Sequence, residues 1–364
     1  QGLPKHVANN GEWLRANYEK STVTWEGHPT LLVQIDGINF LTDPMWSKTA
    51  SPIAPIGPRR LGKLGLAIED LPPIDFVVIS HNHYDHMDVP TLKKLFAINP
   101  DTIFFVPMDN AKLLSKNGIK NIQQMDWGES IEFNNLVIHC LPSQHWSKRS
   151  LTDTNKSGWA SWAIMSANKR FYFAGDSGYF DGFKKIGEAL GPFDLAAMPI
   201  GAYFPQAMMQ SSHMDPEQAV QATLDIQASK AVAIHFGTFD LADEPINEPP
   251  QRFKQAAQEQ LGQNNSWVLA IGETREFKIN FWAVIEYNRL NYNKILTMKL
   301  PMKISTILII LFSINLAACL GEKAPDTTDT TDTSDTSDTT DTTDTTDTTD
   351  TTDTTDTSDT SDTS

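Results

Sequence analysis

One short segment, Ser80–His86 (SHNHYDH), constrains the fold more than any other part of the sequence, because it places metal-ligand side chains directly after an apolar run. In an extended segment the rings of His81 and His83 point to the same side and can hold one metal ion. A turn after the strand brings Asp85 and His86 towards a second position. Imidazole and carboxylate together suit zinc and its neighbours better than Ca²⁺ or Mg²⁺. Four such residues cannot complete two metal sites, so the fold must bring further ligands to this segment.

The remaining ligand candidates follow other strand-like runs. The β-branched or aromatic runs that predict strands are Leu31–Ile35, Ile38–Thr42, Phe76–Ser80, Ile103–Val106, Leu136–Cys140, Phe171–Ala174 and Ala231–His235. His145 lies shortly after the fifth run, Asp176 after the sixth, and His235 at the end of the seventh. A lone histidine at a strand end is ordinarily a hydrogen-bonded core residue. Seven ligand-type side chains at strand ends instead favour one metal centre at one rim of a sheet sandwich.

Helical patterns fall between the strands, which indicates an α/β fold. The sequence predicts two helices, Val89–Ala97 and Asp215–Ala228. The second has a complete start signal, with Asp215 as N-cap, Pro216 at the first helical position and Glu217 in the first turn. Two proline-rich connections are predicted to be ordered loops, Ser51–Pro58 and Glu244–Pro250.

The net charge argues against a nucleic-acid-binding protein. The chain has 364 residues and a formal net charge of −16, but 13 of its aspartates lie in an Asp-Thr-rich repeat from Asp326 to Ser364. Without them the net charge is −3, so the rest of the chain carries no basic stripe of the kind that binds nucleic acid. Two cysteines, Cys140 and Cys319, cannot form a disulfide framework. Cys140 lies inside an apolar run and is expected to be a small buried hydrophobic residue.

The sequence changes character after residue 280. Met302-Lys303 precedes Ile304–Ala318, fifteen mostly apolar residues that end at Cys319. Such a run is shorter than the roughly 20 residues that span a bilayer and matches the roughly 7–15 residues of a signal-peptide core. Residues 302–320 therefore resemble a bacterial lipoprotein signal, in which Cys319 would be the lipidated residue. The Asp-Thr repeat predicts a disordered, solvated tail at residues 321–364.

A lipoprotein signal belongs at the start of a protein, so three explanations of this region stay open. We favour a second reading frame joined to the first, with residues 281–301 as a translated spacer. The alternatives are a genuine C-terminal membrane tether and an ordinary buried helix followed by a tail. All three place the chemistry before residue 280. The chain begins with Gln1 rather than Met, so we expect a preceding segment to be missing, and the cytoplasm and the periplasm of a bacterium both stay open.

The order of the candidates, His-x-His-x-Asp-His and then His, Asp and His, resembles that of the metallo-β-lactamase superfamily. A larger set of motifs is similar to the branch that contains N-acylphosphatidylethanolamine-hydrolysing phospholipase D and its bacterial relatives. These motifs are Val23–His28, Leu41–Pro44, Ser80–Asp88, His145–Ser147, Phe171–Tyr179, Gly191–Tyr203, His213–Glu217 and His235–Asp240. The resemblance covers about Thr22 to Glu276, roughly 70% of the chain. It implies a four-layer αββα sandwich at residues 22–280, after an N-terminal extension at residues 1–21.

The resemblance also implies two zinc ions per chain, although ligand type alone does not exclude iron or manganese. It assigns seven metal ligands, which are His81, His83 and His145 for one ion, Asp85, His86 and His235 for the other, and Asp176 as the bridge between them. Two metal ions about 3.5–4 Å apart share a water and lower its pKa towards about 7. The resulting metal-bridging hydroxide is then in line with a phosphorus or carbonyl centre, so no side-chain nucleophile is needed.

Three residues are candidates for catalysis, namely Asp85, Asp176 and His213. His213 lies beside a predicted helix start, which favours anions, so it is expected to contact a substrate phosphate or assist the leaving group. A structural role is the alternative for His213. Tyr203 and Phe204 are candidates for lining an apolar entrance for acyl chains, the alternative being that they belong to the core.

Two other polar residues are expected to support the site rather than to react. His28 lies in a Gly-His-Pro turn between two predicted strands, where a structural or ligand-supporting role is expected. Asp43 in Thr42-Asp43-Pro44 has two open interpretations. It either orients a metal-binding histidine, since such histidines usually donate their second N–H to a carboxylate or carbonyl, or forms a turn before Pro44.

The resemblance implies a phospholipase D-type phosphodiesterase that cleaves N-acylphosphatidylethanolamine to N-acylethanolamine and phosphatidic acid. The expected partners are a phospholipid or another phosphodiester and a membrane surface, without nucleic acid, and a homodimer is compatible with the sequence. One alternative is a metal-dependent lactonase acting on a sugar-phosphate lactone, with positive charge from Arg59, Arg60, Lys148 and Arg149. The other is a non-enzymatic, membrane-tethered surface lipoprotein whose function lies in the acidic tail.

Overall fold

Two sheets form the centre of the computed structural model, which describes residues 2–277 apart from the side chain of Gln263. The strands are β1 (Thr22–Gly27), β2 (Thr30–Ile35), β3 (Ile38–Thr42), β4 (Phe76–Val78), β5 (Ile103–Pro107), β6 (Ile122–Met125), β7 (Ser130–Phe133), β8 (Leu136–Leu141), β9 (Ser161–Met165), β10 (Arg170–Phe173), β11 (Leu195–Pro199), β12 (Ala231–Ile234), β13 (Ser266–Trp267) and β14 (Thr274–Glu276). The helices are α1 (Glu12–Ala16), α2 (Val89–Ile98), α3 (Ala111–Lys116), α4 (Gly182–Leu190), α5 (Gln206–Met209), α6 (Pro216–Asp225) and α7 (Glu248–Gln260), with short 3₁₀ helices at Ile68–Asp70 and Gln263–Asn265.

The two sheets have matching topologies. The first has the order β14-β1-β2-β3-β4-β5-β6 and the second β13-β12-β11-β10-β9-β8-β7. In each sheet one part is antiparallel and the rest, β3 to β6 and β10 to β13, is parallel. Parallel strands of one sheet end at the same edge of that sheet. The loop after β4 lies at this edge of the first sheet, and the loops after β10 and β12 lie at the adjoining edge of the second. These adjoining edges are the rim that carries the site.

The core has the layers expected of an αββα sandwich. Along β2, Leu31 and Val33 face the second sheet, while Leu32 between them faces the helices on the other side. This alternation is the two-residue period of a strand buried on both faces. Leu92 of α2 packs on the outer face of the first sheet, and Phe253 of α7 belongs to the core cluster that includes the second sheet. The mixed α/β, two-sheet fold predicted from the sequence is confirmed.

The seven strands predicted from apolar runs are all present, with ends shifted by at most two residues. Seven further strands in residues 2–277 were not predicted, among them β7 and β13. β7 is largely exposed and β13 has two residues, so neither has an apolar run long enough to be recognised. Four predicted features lie outside the described residues, namely the spacer at 281–301, the signal-like segment at 302–320, the tail at 321–364 and Cys319.

Helix α6 begins as predicted and ends earlier. The Asp215 side chain accepts a hydrogen bond from Gln218 N at 2.8 Å, and Gln218 Oε1 accepts one from Asp215 N at 3.2 Å, forming a reciprocal capping box. The predicted end at Ala228 is wrong, because Gln227 adopts a φ of 60° and Ala228 N donates back to Thr223 O. A residue in this left-handed conformation terminates the helix.

The predicted loop at Glu244–Pro250 is partly wrong, because its last three residues open α7. Pro249 and Pro250 fit there because the first helical turn has no internal partner for their missing N–H groups. At the other end of the chain, α1 packs onto the first sheet through the buried Leu14, whose carbonyl accepts a hydrogen bond from Gln34 Nε2 at 2.9 Å. Within residues 2–277, every helix is too short or too polar to cross a lipid bilayer.

Candidate metal centre

Three imidazole nitrogens converge at the rim. His81 and His83 lie on the loop after β4, and His145 on the loop after β8. His81 Nε2 lies 2.8 Å from His83 Nδ1 and 3.1 Å from His145 Nε2, and the latter two nitrogens are 3.3 Å apart. A tetrahedral zinc ion with Zn–N bonds of about 2.0–2.1 Å separates its nitrogens by about 3.3 Å. The three rings therefore match one face of such a site.

A second group of ligand atoms lies beside the first. Asp85 Oδ2 is 3.3 Å from His86 Nε2 and 3.5 Å from His235 Nε2. His86 follows in the turn after β4, where its N–H donates to His83 O, and His235 directly follows β12 with a φ of 59°. Both histidine side chains are almost fully buried, whereas the Asp85 side chain is 15% exposed. This group has the mixed carboxylate and imidazole donors that zinc accepts.

Asp176 joins the two groups. Its Oδ2 lies 3.0 Å from His86 Nε2 and 3.1 Å from His235 Nε2, and 3.9 Å from the Nε2 atoms of His81 and His145. The preceding Gly175 has a φ of 61°, and a Cβ on it would lie 2.5 Å from the Ser80 Cβ. Glycine at this position therefore lets the Asp176 loop approach the His81 loop closely enough to share a centre.

The donor atoms fit a metal because the protein does not satisfy them otherwise. His86 Nε2, His235 Nε2 and Asp176 Oδ1 are buried and have no hydrogen-bond partner of acceptable geometry among the described residues. His83 Nε2 and His213 Nδ1 are also buried and lack a hydrogen-bond partner among the described residues. Unpaired buried polar atoms of this kind each cost about 1–3 kcal/mol, whereas metal ligation would use several of them. All seven predicted ligands converge here, in overlapping groups of potential metal ligands.

Hydrogen bonds behind the ligands fix their orientation. Asp43 Oδ2 lies 2.7 Å from His86 Nδ1, so of the two interpretations of Asp43 the structure favours the orienting one. Ser80 Oγ donates to Asp43 Oδ2 at 2.5 Å and lies 2.8 Å from His81 Nδ1. The Nε2 atom of His28 lies 2.8 Å from Asp85 Oδ2 and so holds that carboxylate. No role was predicted for Ser80, although its position directly before His81 at a strand end was the available signal.

His81, His145 and Asp176 have the protonation states that metal binding requires. His86 and His235 must first lose a proton. Burial alone would lower their pKa values, but the nearby carboxylates of Asp176 and Asp85 raise the pKa of His86 well above its usual value and that of His235 to about 9. Burial lowers the pKa values of His81 and His145, and neighbouring histidines lower them further, so both rings are neutral at pH 7. Burial alone would raise the pKa of the Asp176 carboxyl, but His235 and His86 hold it well below its usual range. Neutral imidazole and ionised carboxylate are the forms that ligate metals.

His213 reaches the same centre from another loop. Its Nδ1 lies 3.9 Å from Asp176 Oδ2, and its ring packs 5.2 Å from that of His145 and 5.7 Å from that of His235, between centroids. The preceding residue fixes His145 as well, since Ser212 O lies 3.0 Å from His145 Nδ1. Burial lowers the pKa of His213 to about 4, so its ring is neutral at pH 7. His213 is thus placed among the predicted ligands rather than at a distance from them.

The two predicted substrate-contact residues differ in position. Tyr203 is 3% exposed, its hydroxyl donates to Glu248 Oε1 at 2.7 Å, and Arg252 lies over its ring. A buried phenol requires such a partner, so the structure places Tyr203 inside the protein, not at an apolar entrance. Phe204 is half exposed.

Two of the four basic residues predicted for a sugar-phosphate site, Arg60 and Arg149, already bind main-chain carbonyls and aromatic rings of the protein. Arg60 donates to Met45 O at 2.5 Å and stacks over Phe239. Arg149 donates to the carbonyls of Asn82 and Met87, both at 2.8 Å, and stacks over Tyr84. These two guanidinium groups therefore hold loops of the rim together, which argues against a cationic sugar-phosphate pocket built from them.

Comparisons with known proteins agree with this site. A family model described as Beta-lactamase superfamily domain matches residues 38–236. N-acyl-phosphatidylethanolamine-hydrolyzing phospholipase D 1 of Caenorhabditis elegans is 41% identical over 266 residues, which are 70% of this chain and 75% of the nematode protein. The mitochondrial N-acyl-phosphatidylethanolamine-hydrolyzing phospholipase D of Saccharomyces cerevisiae is 32% identical over 242 residues, 65% of this chain and 51% of the yeast protein.

Solved structures share the fold. Igni18, a metallo hydrolase from the archaeon Ignicoccus hospitalis, has a TM-score of 0.53 and 25% sequence identity, and the match covers 72% of this chain and 100% of that one. An isothiocyanate hydrolase from Delia radicum gut bacteria has a TM-score of 0.57 at 22% identity, with 70% of this chain and 99% of that one covered. These findings contradict the non-enzymatic alternative. The chain therefore belongs to the β-lactamase superfamily of metal-dependent hydrolases, in the branch that includes the N-acyl-phosphatidylethanolamine-hydrolyzing phospholipases D.

Proposed function

We propose that the protein is a binuclear zinc phosphodiesterase that cleaves N-acylphosphatidylethanolamine to N-acylethanolamine and phosphatidic acid. The observation that carries the proposal is the position of Asp176 Oδ2, which lies within 4 Å of two nitrogens in each group, those of His81 and His145 in the first and those of His86 and His235 in the second. A carboxylate shared by two sets of ligands is the arrangement that a two-metal hydrolase requires. The choice of substrate is supported by the 41% identity to the nematode phospholipase D over 70% of this chain.

Seven residues would hold the metals in this proposal, in the two groups described above with Asp176 between them. When bound, two such ions supply an activated water at neutral pH and neutralise the charge that develops on the phosphoryl oxygens. In the reaction, water adds to phosphorus, the bond between phosphorus and the ethanolamine oxygen breaks, and that oxygen takes up a proton. Asp85 and Asp176 would hold the metal ions and so position the attacking water, since their Oδ2 atoms lie 3.5 and 3.1 Å from His235 Nε2 in the proposed metal site.

His213 has the position and the protonation state to bind the substrate phosphate. Its ring is neutral at pH 7, because burial lowers its pKa to about 4, and its side chain is 12% exposed. A neutral imidazole can donate one hydrogen bond to a phosphoryl oxygen and keep its other nitrogen free. Since the imidazolium form is not populated at pH 7, His213 is proposed to position the phosphate rather than to protonate the leaving group.

A lipid substrate also requires apolar surface near the centre. Five exposed apolar side chains lie on segments that adjoin the site, which are Ile53, Ile56, Leu151 and Phe204 on loops and Met208 on α5. The loop of Ile53 borders a groove of about 290 Å³ that is also lined by Tyr84 and Arg149. Phe204 lies just before α5, and Met208 is next to Met209, whose carbonyl accepts a hydrogen bond from His213 N at 2.8 Å. We propose that these segments contact acyl chains or the bilayer surface.

The test is an incubation of the zinc-loaded protein with N-acylphosphatidylethanolamine, with products identified by mass spectrometry. Asp176→Ala is expected to abolish turnover and to lower the zinc content, whereas Asp101→Ala, an exposed aspartate, is expected to change neither. Formation of N-acylethanolamine and phosphatidic acid by the parent alone supports the proposal. Two bound zinc ions without turnover would contradict the substrate, and the sugar-phosphate lactone would be tested next.

A further inference from the structure

The second ring nitrogen of His235 has no partner among residues 2–277. Its Nε2 faces the carboxylates of Asp176 and Asp85, at 3.1 and 3.5 Å. Its Nδ1 is buried and makes no hydrogen bond within this part of the chain. The corresponding nitrogens of His86, His81 and His145 lie within hydrogen-bond distance of Asp43, Ser80 and Ser212, respectively. A metal-binding histidine almost always donates its other N–H to a carboxylate, a carbonyl or water, so His235 requires an acceptor.

A small cavity adjoins His235 on the side of the loop that follows it. The cavity has a volume of about 20 Å³ and is lined by His28, Ala202 and His235 together with residues 236–237 and 239–242, Glu244, Ile246 and Pro249. A cavity holds one water when it offers roughly 10–15 Å³ to the centre of the water and two or more polar partners. Its size therefore matches a single water molecule.

Two carboxylates line this cavity, and only one of them is fixed. Asp240 is exposed to solvent. Glu244 is held in place, because its Oε1 accepts a hydrogen bond from Ala202 N at 2.5 Å and its Oε2 accepts one from Phe204 N at 3.2 Å. Each carboxylate oxygen can accept a second hydrogen bond. Glu244 is therefore the acceptor that a water in the cavity would find in a constant position.

We propose that a fixed water occupies this cavity, accepts the N–H of His235 Nδ1 and donates to the Glu244 carboxylate. This inference rests on the proposed metal site, because the bond at Nδ1 leaves the lone pair of Nε2 free for a metal ion. Glu244 is then a positioning residue that acts on His235 through the water. It also links the ligand to the Ala202–Phe204 loop, so one carboxylate sets the position of both.

A crystal structure at high resolution tests the inference directly, with the metal content measured separately on the same preparation. We expect density for one water within about 3 Å of both His235 Nδ1 and a Glu244 oxygen. Density for the water is expected with or without zinc, because Nδ1 carries a proton in the neutral ligand form and in the imidazolium form. A cavity without density for a water, or another acceptor on Nδ1, overturns the inference. Absence of bound zinc would contradict the proposed function and not the water.

Zinc affinity provides a second measurement. Glu244→Gln is expected to weaken zinc binding about tenfold in a chelator competition, which is the lower end of the effect of removing a group behind a metal ligand. The neighbouring Asp243→Asn is the matched control, since Asp243 is exposed and does not line the cavity. Equal zinc affinity of the two variants would contradict the role of Glu244. A comparison of their thermal unfolding shows whether Glu244→Gln has also loosened the Ala202–Phe204 loop.

Discussion

Asp43 lies behind the proposed metal site and fixes the orientation of a predicted ligand, His86. Its carboxylate lies 2.7 Å from His86 Nδ1 and accepts hydrogen bonds from both N and Oγ of Ser80. The residue adopts a φ of 35°, a conformation that asparagine tolerates better than alanine does. Asn is therefore the substitution that changes the hydrogen bond without adding backbone strain.

We predict that Asp43→Asn lowers zinc affinity by roughly 10–100-fold, the range found for groups that orient metal ligands. The amide can present a donor to His86 Nδ1, so the ring loses its fixed tautomer. The measurement is a competition with a chromogenic chelator, and Asp101→Asn serves as an exposed control. Unchanged zinc affinity in Asp43→Asn would show that His86 is held by its packing alone.

Glu26 gives a prediction about pH. Burial raises the pKa of this carboxyl from 4.5 to about 8, although the N–H of Leu66 and the charge of Arg60 act in the opposite direction. The folded state therefore binds more protons than the unfolded state between these pH values, and folding stability falls as the pH rises through them. The slope is at most about 1.4 kcal/mol for each pH unit.

Glu26→Gln is expected to remove this slope. Relative to the parent, the variant gains stability steadily from about pH 5 to about pH 8, because the parent must ionise a buried carboxyl and the variant has none to ionise. Urea unfolding of the metal-free proteins at several pH values measures the difference. The exposed Glu132→Gln is the control and should stay parallel to the parent. A stability difference that does not change with pH would contradict the raised pKa.

At the scale of elements, the helix starts offer a matched comparison. Asp215 caps α6 through a hydrogen bond to Gln218 N, whereas Asp181 precedes α4 without any side-chain cap. We predict that Asp215→Ala destabilises the protein by about 1 kcal/mol and lowers Tm by roughly 2–4 °C. Asp181→Ala should change stability by less than about 0.5 kcal/mol. Equal effects of the two substitutions, measured by calorimetry, would show that the capping box contributes nothing.

The predicted elements were those with a strong local signal. Four of the five residues in Ile38–Thr42 carry an apolar or β-branched side chain, and β3 has the predicted ends. Leu195–Pro199 contains two alanines and no β-branched residue, and it becomes strand β11 only because β10 and β12 pair with it on either side. Local propensity cannot report such pairing, since the partners are distant in sequence.

In the site, too, residues with a distinctive side chain were predicted, and those recognisable only by their folded contacts were not. The seven predicted ligands were found because each carries a metal-binding side chain at a strand end. Ser80 and the carbonyl of Ser212 were missed, because serine hydroxyls and main-chain carbonyls occur throughout the chain. Only the folded structure shows that these two lie within hydrogen-bond distance of His81 and His145. For Tyr203 an apolar entrance and the core both stayed open, because its partner, Glu248, lies 45 residues away in the sequence.

On the scale of the whole molecule, the ligands come from both sheets. His81 and His86 follow a strand of the first sheet, and Asp176 and His235 follow strands of the second. A metal that binds them stabilises the sandwich, by about 2.7 kcal/mol at a free concentration 100 times its Kd. We therefore predict that chelation lowers Tm by several degrees, reversibly on addition of zinc, in a thermal scan. An unchanged Tm would show that zinc does not bind preferentially to the folded state.

The proposed domain boundary can be tested by truncation. Phe277 is 1% exposed and its N–H donates to Ser21 O at 3.0 Å, so the folded unit extends at least to this residue. A chain that ends at residue 280 is expected to keep the Tm and the zinc content of the full chain. A chain that ends at residue 272 lacks β14 and should lose several kcal/mol, seen as a lower Tm. Equal losses in the two chains would move the boundary beyond residue 280.

The pairing of β1 with β14 has a consequence for synthesis on the ribosome. β1 emerges well before its partner on one side, Thr274–Glu276, which follows about 250 residues later. Until then that side of β1 presents unpaired N–H and C=O groups, which can pair with a strand of another nascent chain. The first sheet is complete only after almost the whole folded unit has been translated. Slow translation of the last strand would therefore prolong the period in which the protein is most prone to aggregate.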